Sequence, residues 1–166
     1  MIQNSKFKIQ RGFTLIEILV VVAIIGLLSG VILVGLNNAR KQGRDARRIA
    51  DLRQVQNALE LYFQKNGKYP DQSTWAGMTS DLKNAGIGIT NVPNDPTPTW
   101  SYGYCAAGPS GNRDSYAIGA YLEDANNPAL KQDTTAPCNP TLSGTPNNTA
   151  NCSTQANVTN KYCLTL

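Results

Sequence analysis

The first third of the chain combines an apolar run with an amphipathic one. Residues 18–39 contain no charged side chain. In a helix, which rises about 1.5 Å per residue, this run is about 33 Å long, and a bilayer core is about 30 Å thick. Across residues 37–66 apolar side chains recur every three or four positions, which predicts a helix with one apolar face. No proline lies between Phe13 and Lys65, so we predict one continuous helix whose first half is long enough to span a membrane.

The pattern changes after Asn66-Gly67, where glycine and the following Pro70 predict the end of the long helix. A short helix is predicted near residues 79–85. Apolar and polar positions alternate over residues 100–104 and 116–122, which is typical of strands. The closing residues, KYCLTL, predict a third strand.

These elements predict an α+β fold. Because a two-stranded ribbon alone is barely stable, we expect the strands to pack on the apolar face of the helix. The predicted architecture is a long N-terminal α-helix, membrane-spanning in its first half. Its second half packs on a small antiparallel β-sheet domain with a disulfide-tied C-terminal loop.

Four cysteines, Cys105, Cys138, Cys152 and Cys163, all follow the predicted long helix. An even number of cysteines behind a membrane-targeting segment indicates disulfides formed in an oxidising compartment. Zinc binding is the alternative, but the sequence contains no CxxC pair. Four cysteines permit three pairings, of which we favour Cys105–Cys163 across the strands and Cys138–Cys152 across the loop.

Charge and composition exclude several function classes. The chain contains no histidine, which excludes hydrolases with a histidine-containing triad. The net charge of +4 is unevenly distributed, because the basic excess lies in residues 1–70 and residues 71–166 are mildly acidic. A nucleic-acid reader usually carries its positive field on the folded domain, so nucleic acid is an unlikely partner. The basic stretch of residues 40–53 has three open interpretations. It could be a solvated helix face, it could pair with acids of neighbouring subunits, or it could bind DNA or lipid headgroups.

Residues 11–17, Arg-Gly-Phe-Thr-Leu-Ile-Glu, are followed by ILVVVAIIGLL. This stretch resembles the N-terminal signature of the type IV pilins and their pseudopilin relatives. The resemblance implies that a prepilin peptidase cuts between Gly12 and Phe13 and methylates the new amine of Phe13. It divides the chain into a cleaved basic leader (1–12), a transmembrane or filament-core helix half (13–39), an amphipathic helix half (40–66) and a globular pilin head domain (67–166).

Glu17 is an acid near the start of an apolar run. A carboxylate inside a bilayer costs about 2.5–3.5 kcal/mol on insertion scales, and such residues usually pair. In the family that the sequence around Glu17 resembles, this acid pairs with the terminal amine of an adjacent subunit. The resemblance therefore implies that Glu17 is an assembly residue. The alternative is that Glu17 lies at the interface and reaches into the headgroups.

The resemblance implies a structural subunit of a type IV pilus-like extracellular filament, with no enzyme activity and no cofactor. The implied partners are copies of the chain in a helical filament, the prepilin peptidase, and an inner-membrane assembly platform with a cytoplasmic ATPase. The precursor would lie in the cytoplasmic membrane with its C-terminus outside, and the assembled filament at the cell surface. The alternatives are a major-type pseudopilin of a type II secretion system and a plain membrane-anchored extracellular domain.

The sequence VPNDP before a tyrosine-rich strand is similar to a region of the major pseudopilins that binds calcium. Carried over to this chain, Asp95, Asp114 and Asp124 are weak ligand candidates, and Glu123 and Asp133 could add oxygens. No loop spacing marks a calcium site, so the sequence pattern by itself does not predict a metal site.

Overall fold

The computed structural model describes residues 12–109, 111–131, 136–145, 152 and 160–166, without the side chains of residues 31–35. The chain divides into two compact units, Met1–Ala39 and Arg40–Leu166. Its elements are α1 (Leu15–Asn66), α2 (Trp75–Asn84), β1 (Gly103–Ala107), β2 (Ser115–Tyr121), a 3-10 turn (Pro128–Lys131) and β3 (Lys161–Thr165).

The prediction of a single long helix is confirmed by α1. The helix ends at Gly67, whose φ of 71° is left-handed and whose N–H donates to the carbonyl of Phe63 at 2.7 Å. Glycine adopts this conformation without a Cβ penalty, which is why it closes many helices. Among the residues with described side chains, no helix is long and apolar enough to cross a membrane. The membrane span over residues 13–39 stays a prediction.

The short helix begins four residues earlier than predicted. Thr74 is its N-cap, and the Thr74 hydroxyl accepts a hydrogen bond from the N–H of Gly77 at 3.2 Å. A threonine at this position satisfies a backbone donor that the helix itself leaves unpaired. Trp75, Met78 and Leu82 are then buried on one side of α2.

Three antiparallel strands form one sheet in the order β1-β2-β3, so the central strand is β2. The third strand is confirmed. The first strand begins at Gly103 rather than at residue 100. Trp100 and Ser101 bond elsewhere, because the N–H of Trp100 donates to Thr97 and the N–H of Ser101 donates to Ser143.

The core of the C-terminal unit lies between the apolar face of α1 and the sheet. Leu52, Val55 and Leu59 on α1 are buried in one cluster with residues of β1, β2, β3 and α2. Buried tyrosines complete this core. A buried hydroxyl needs a hydrogen-bond partner, and the hydroxyls of Tyr102 and Tyr104 each have one. Tyr102 donates to Asp51 and Tyr104 to the carbonyl of Pro70, both at 2.8 Å.

The four cysteines form two disulfides, as predicted, but the predicted pairing is wrong. The bonds are Cys105–Cys138 and Cys152–Cys163. Cys105 lies on β1 opposite Ala117, and Cys163 lies on β3 opposite Gly119, so β2 separates the two cysteines. Two strand spacings of about 4.8 Å each exceed the Cα separation of about 7 Å that a disulfide can bridge. Each edge strand is therefore tied to a loop cysteine instead.

Candidate functional site

The N-terminal end of α1 is closed by a pair of side chains. Thr14 precedes the first helical residue, and both its N–H and its hydroxyl donate to Oε2 of Glu17 at 2.8 Å. The N–H of Glu17 donates back to the Thr14 hydroxyl at 3.3 Å. This reciprocal arrangement is a capping box, which satisfies helix donors that lack intrahelical partners.

The predicted processing residues lie directly before this cap. Gly12 and Phe13 are outside the helix and exposed, and the space around Gly12 is open. The bond between them is therefore an accessible peptide in non-helical backbone. Glu17 lies one turn further on, where the helix dipole also favours a negative charge.

The contact between Thr14 and Glu17 was not predicted from the sequence. Its signal is the spacing Thr-x-x-Glu before an apolar run, which is the sequence pattern of a capping box. The capping box gives Glu17 a role within its own chain in addition to any role between subunits.

The basic stretch of α1 contains an arginine that is buried rather than solvated. The side chain of Arg48 is 0% exposed. Its guanidinium donates to Asp45 at 2.8 Å, to Glu123 at 2.8 Å, and through two nitrogens to Asp95 at 2.9 and 3.0 Å. It also donates to the Thr97 hydroxyl at 2.8 Å.

Arg44 and backbone donors complete this group. Arg44 binds both carboxylate oxygens of Glu123 at 2.6 Å. Asp45 accepts hydrogen bonds from the N–H groups of Glu123 and Asp124, both at 2.9 Å. We refer to Arg44, Asp45, Arg48, Asp95 and Glu123 together as the Arg48 cluster.

The charges of the cluster stabilise one another. Hydrogen bonds from Arg44 and then from Arg48 lower the pKa of Glu123 to about 2, against the opposing effect of burial. Burial by itself lowers the pKa of Arg48, but the bonds to Asp95 and Glu123 outweigh it and the pKa lies above its usual value. Glu123 and Arg48 are therefore both charged at neutral pH.

The Arg48 cluster joins three segments of the C-terminal unit. Asp45 and Arg48 belong to α1, Asp95 precedes β1 and Glu123 follows β2. Trp100 adds an aromatic face, with its ring centre 4.7 Å from the guanidinium carbon of Arg48. The burial of Arg48 was not predicted from the sequence. The local signal for it is Asp45, an acid three residues before Arg48 and about one helical turn away.

Of the calcium candidates, the structure brings Asp95 and Glu123 together around Arg48. Asp95 accepts from Arg48 and from the N–H of Thr97. Asp114 and Asp124 lie beyond opposite ends of β2. Within the described part of the chain, no group of three or more His, Cys, Asp or Glu side chains could hold a metal ion. Asp133 lies outside the described residues. The calcium site that the resemblance implied stays a prediction.

The start of the chain matches a known family model, and two thirds or more of its length matches known proteins. A family model described as a prokaryotic N-terminal methylation motif matches residues 7–33. The chain is 31% identical over 126 residues to the type II secretion system core protein G of Vibrio cholerae, covering 70% of this chain and 84% of the relative. It is 32% identical over 124 residues to the same protein of Pseudomonas aeruginosa, covering 67% and 84%.

A second kind of relative matches a shorter part of the chain. The type IV major pilin protein PilE1 of Neisseria gonorrhoeae is 35% identical over 91 residues, which covers 52% of this chain and 54% of the relative. No solved structure gives a significant match.

Proposed function

Because this chain belongs to the family of the type II secretion pseudopilins and type IV pilins, we propose that it is the repeating subunit of a helical filament. Its relatives are structural proteins rather than enzymes. The observation that carries the proposal is the capped start of α1, which lies directly after Gly12-Phe13 and inside the matched methylation motif.

We propose that a prepilin peptidase removes residues 1–12 and methylates the amine of Phe13. The exposure of Gly12 and Phe13 outside the helix supports this step, because a peptidase needs an extended, accessible bond. A helical bond would have to unwind first. Cleavage would create a positive amine one turn before the Glu17 carboxylate.

We propose that Glu17 then neutralises the amine of a neighbouring subunit. Both donors of Thr14 use Oε2 of Glu17, so Oε1 can accept from a second chain. A charge-assisted bond of this kind is stronger than a neutral one, and more so in apolar surroundings.

The apolar side chains of the N-terminal unit support a membrane stage before assembly. Large apolar side chains of α1 are exposed there: Leu15, Ile16, Ile18, Leu19, Val20, Val21, Val22, Ile24, Ile25, Leu27 and Leu28. An exposed apolar surface of this size needs an apolar environment. We propose the cytoplasmic membrane for the precursor, with the C-terminal unit outside, and neighbouring helices in the filament. An inner-membrane platform driven by a cytoplasmic ATPase would transfer the subunit from the membrane into the filament.

The filament has two candidate classes. Similarity to the secretion protein G extends over 124–126 residues, whereas similarity to the pilin extends over 91. The longer match favours a type II secretion pseudopilus. A type IV pilus-like surface filament is the second candidate, because the chain is also 35% identical over 91 residues to a type IV major pilin.

Processing can be tested by mass spectrometry of the N-terminal peptide from membrane-resident protein. The proposal predicts a mature chain that begins with N-methylated Phe13. A chain that keeps residues 1–12 in the membrane would instead identify a plain anchor.

Assembly can be tested with Glu17→Gln. Glutamine still closes a capping box but removes the charge, so we expect stable membrane protein and loss of most filament yield. Thr14→Ala is the matched control, because it removes the cap and keeps the charge, and it should have the milder effect. A normal filament yield from Glu17→Gln would contradict the pairing role, and a normal yield from Glu17→Gln together with a loss in Thr14→Ala would assign Glu17 to helix capping.

A further inference from the structure

A cavity of about 650 Å³ lies beside the first turn of α2 in the C-terminal unit. Two aromatic residues, Trp75 and Tyr102, line it together with Asn94. None of the described residues that line it is charged. Its volume is in the range of small-molecule sites, which are also lined by aromatic side chains and a few polar groups. The other polar residues of its wall all carry a hydroxyl group: Ser73, Thr74, Thr79, Ser101, Thr141 and Ser143.

Two residues of the cavity wall have buried polar atoms without a hydrogen-bond partner among the described residues. These atoms are Trp75 Nε1 and Thr79 Oγ1, and Trp75 is only 8% exposed. The two residues are four positions apart on α2, so they lie on the same face of the helix. Buried polar groups are nearly always paired, and an unpaired one is unfavourable. The two atoms therefore indicate a partner that comes from outside the chain.

The fold holds these groups in place without satisfying them. The Ser80 hydroxyl, one position further along α2, donates to the carbonyl of Ala76 at 3.1 Å, whereas the Thr79 hydroxyl makes no such bond. The indole of Trp75 packs edge-to-face with the ring of Tyr102, with ring centres 5.1 Å apart and ring planes at 69°. This contact fixes the orientation of the indole in the cavity wall.

The chemistry of the wall favours a neutral ligand that is rich in hydroxyl groups. Serine and threonine hydroxyls and the Asn94 amide can both donate and accept hydrogen bonds, whereas the N–H of Trp75 only donates. A sugar offers hydroxyl groups that do both, and an apolar C–H face that packs on an aromatic ring. A charged ligand would find no opposite charge among the described residues of the wall.

An extended peptide fits the cavity less well. Peptides that bind beside a strand pair with free backbone groups at a sheet edge. Here the N–H of Ser101 donates to the carbonyl of Ser143 at 3.0 Å, and the N–H of Ser143 donates to the Ser101 hydroxyl at 3.2 Å. These backbone donors beside the cavity are therefore already used.

We propose that this cavity binds a neutral saccharide, which accepts a hydrogen bond from Trp75 Nε1 and pairs with the Thr79 hydroxyl. Asn94 and the exposed residues Ser73 and Thr74 bind its remaining hydroxyl groups. The cavity belongs to the C-terminal unit alone. The inference therefore goes beyond the proposed function and does not depend on processing or filament assembly.

The test uses the full chain with isotope-labelled tryptophan, in a polyoxyethylene detergent, because a detergent with a sugar headgroup would compete. The chain contains two tryptophans, so nuclear magnetic resonance should show two indole N–H signals, which Trp75→Phe assigns. The probes are maltose, cellobiose and diacetylchitobiose at millimolar concentrations. At least one of them should shift the Trp75 signal saturably and leave the signal of Trp100, which packs over Arg48, unchanged.

Thr79→Val keeps the shape of the side chain and removes its hydroxyl. The affinity read from the Trp75 signal should fall roughly three- to tenfold. The Tm should not fall, because the lost hydroxyl has no partner among the described residues. Ser80→Ala is the matched control, since it also removes a hydroxyl from α2 but Ser80 is not among the residues that line the cavity. This control should bind as the wild type does.

Several outcomes overturn the proposal. It fails if none of the three sugars shifts the Trp75 signal saturably, or if both indole signals move together, which indicates non-specific contact. A Thr79→Val chain that folds and binds with wild-type affinity would also contradict it. If that variant does not fold, the wild-type titration still decides. A neutral peptide rich in serine and threonine that shifts the Trp75 signal where no sugar does would assign the cavity to a polypeptide instead.

Discussion

The contribution of the buried charges to the free energy of unfolding can be measured through the ionisation of Glu123. Its carboxylate binds Arg44 and Arg48, and these bonds lower its pKa from 4.5 to about 2. A carboxyl whose pKa is lower in the folded chain than in the unfolded chain stabilises the fold above the unfolded pKa. The stabilisation is lost as the pH falls from about 4.5 toward the folded value.

The magnitude follows from the size of the pKa difference. Each pKa unit corresponds to about 1.4 kcal/mol, so ionised Glu123 contributes about 3 kcal/mol at neutral pH. At about pH 3 the unfolded chain has already taken up the proton, and the contribution falls to about 1 kcal/mol. Because glutamine resembles the protonated acid in shape, Glu123→Gln should lose about 3 kcal/mol at neutral pH and only about 1 kcal/mol at about pH 3.

Urea unfolding of the full chain in detergent, followed by tryptophan fluorescence, measures this difference. Trp100 is a suitable reporter, because it stacks on Arg48. Asp71→Asn is the control, since the pair of Asp71 and Arg113 is at the surface, with the Asp71 side chain 46% exposed, and such pairs contribute about 1 kcal/mol or less. A gap between the wild type and Glu123→Gln that is equal at both pH values would refute the assignment, because ionisation of Glu123 would then add nothing to stability.

The disulfides and the core give two further predictions. Peptide mapping without reduction should yield a Cys105–Cys138 link, and a Cys105–Cys163 peptide would contradict the structure. Since the sequence separations are 33 and 11, replacing Cys105 and Cys138 by serine should cost roughly 4 kcal/mol, and replacing Cys152 and Cys163 roughly 3 kcal/mol. Leu59→Ala should cost about 2–5 kcal/mol in urea unfolding, because Leu59 is fully buried in the core and alanine leaves a cavity; a loss well below 1 kcal/mol would mean that the site collapses.

Much of this protein is determined by patterns that lie along the chain. Helix periodicity without proline predicted α1 to within two residues at its start and one at its end. Alternation predicted β2, the closing residues KYCLTL predicted β3, and the motif that begins at Arg11-Gly12-Phe13 indicated the family. The cap of Thr14 and Glu17 was equally readable, because its two residues are three positions apart. These features depend on neighbours within about one helical turn or one strand, so the sequence carries their signal directly.

Other features depend on which distant segments meet, and only the tertiary structure decided them. The disulfide pairing follows from the position of β2 between β1 and β3, which no spacing of cysteines reveals. Asp95 and Glu123 lie 47 and 75 residues away from Arg48 along the chain. Arg48 is buried because these two residues pack around it in the fold. Arg47 and Arg53 on the same helix stay exposed. Burial of a charge is set by contacts across the fold, and for that reason the sequence alone did not distinguish Arg48 from the rest of the basic stretch.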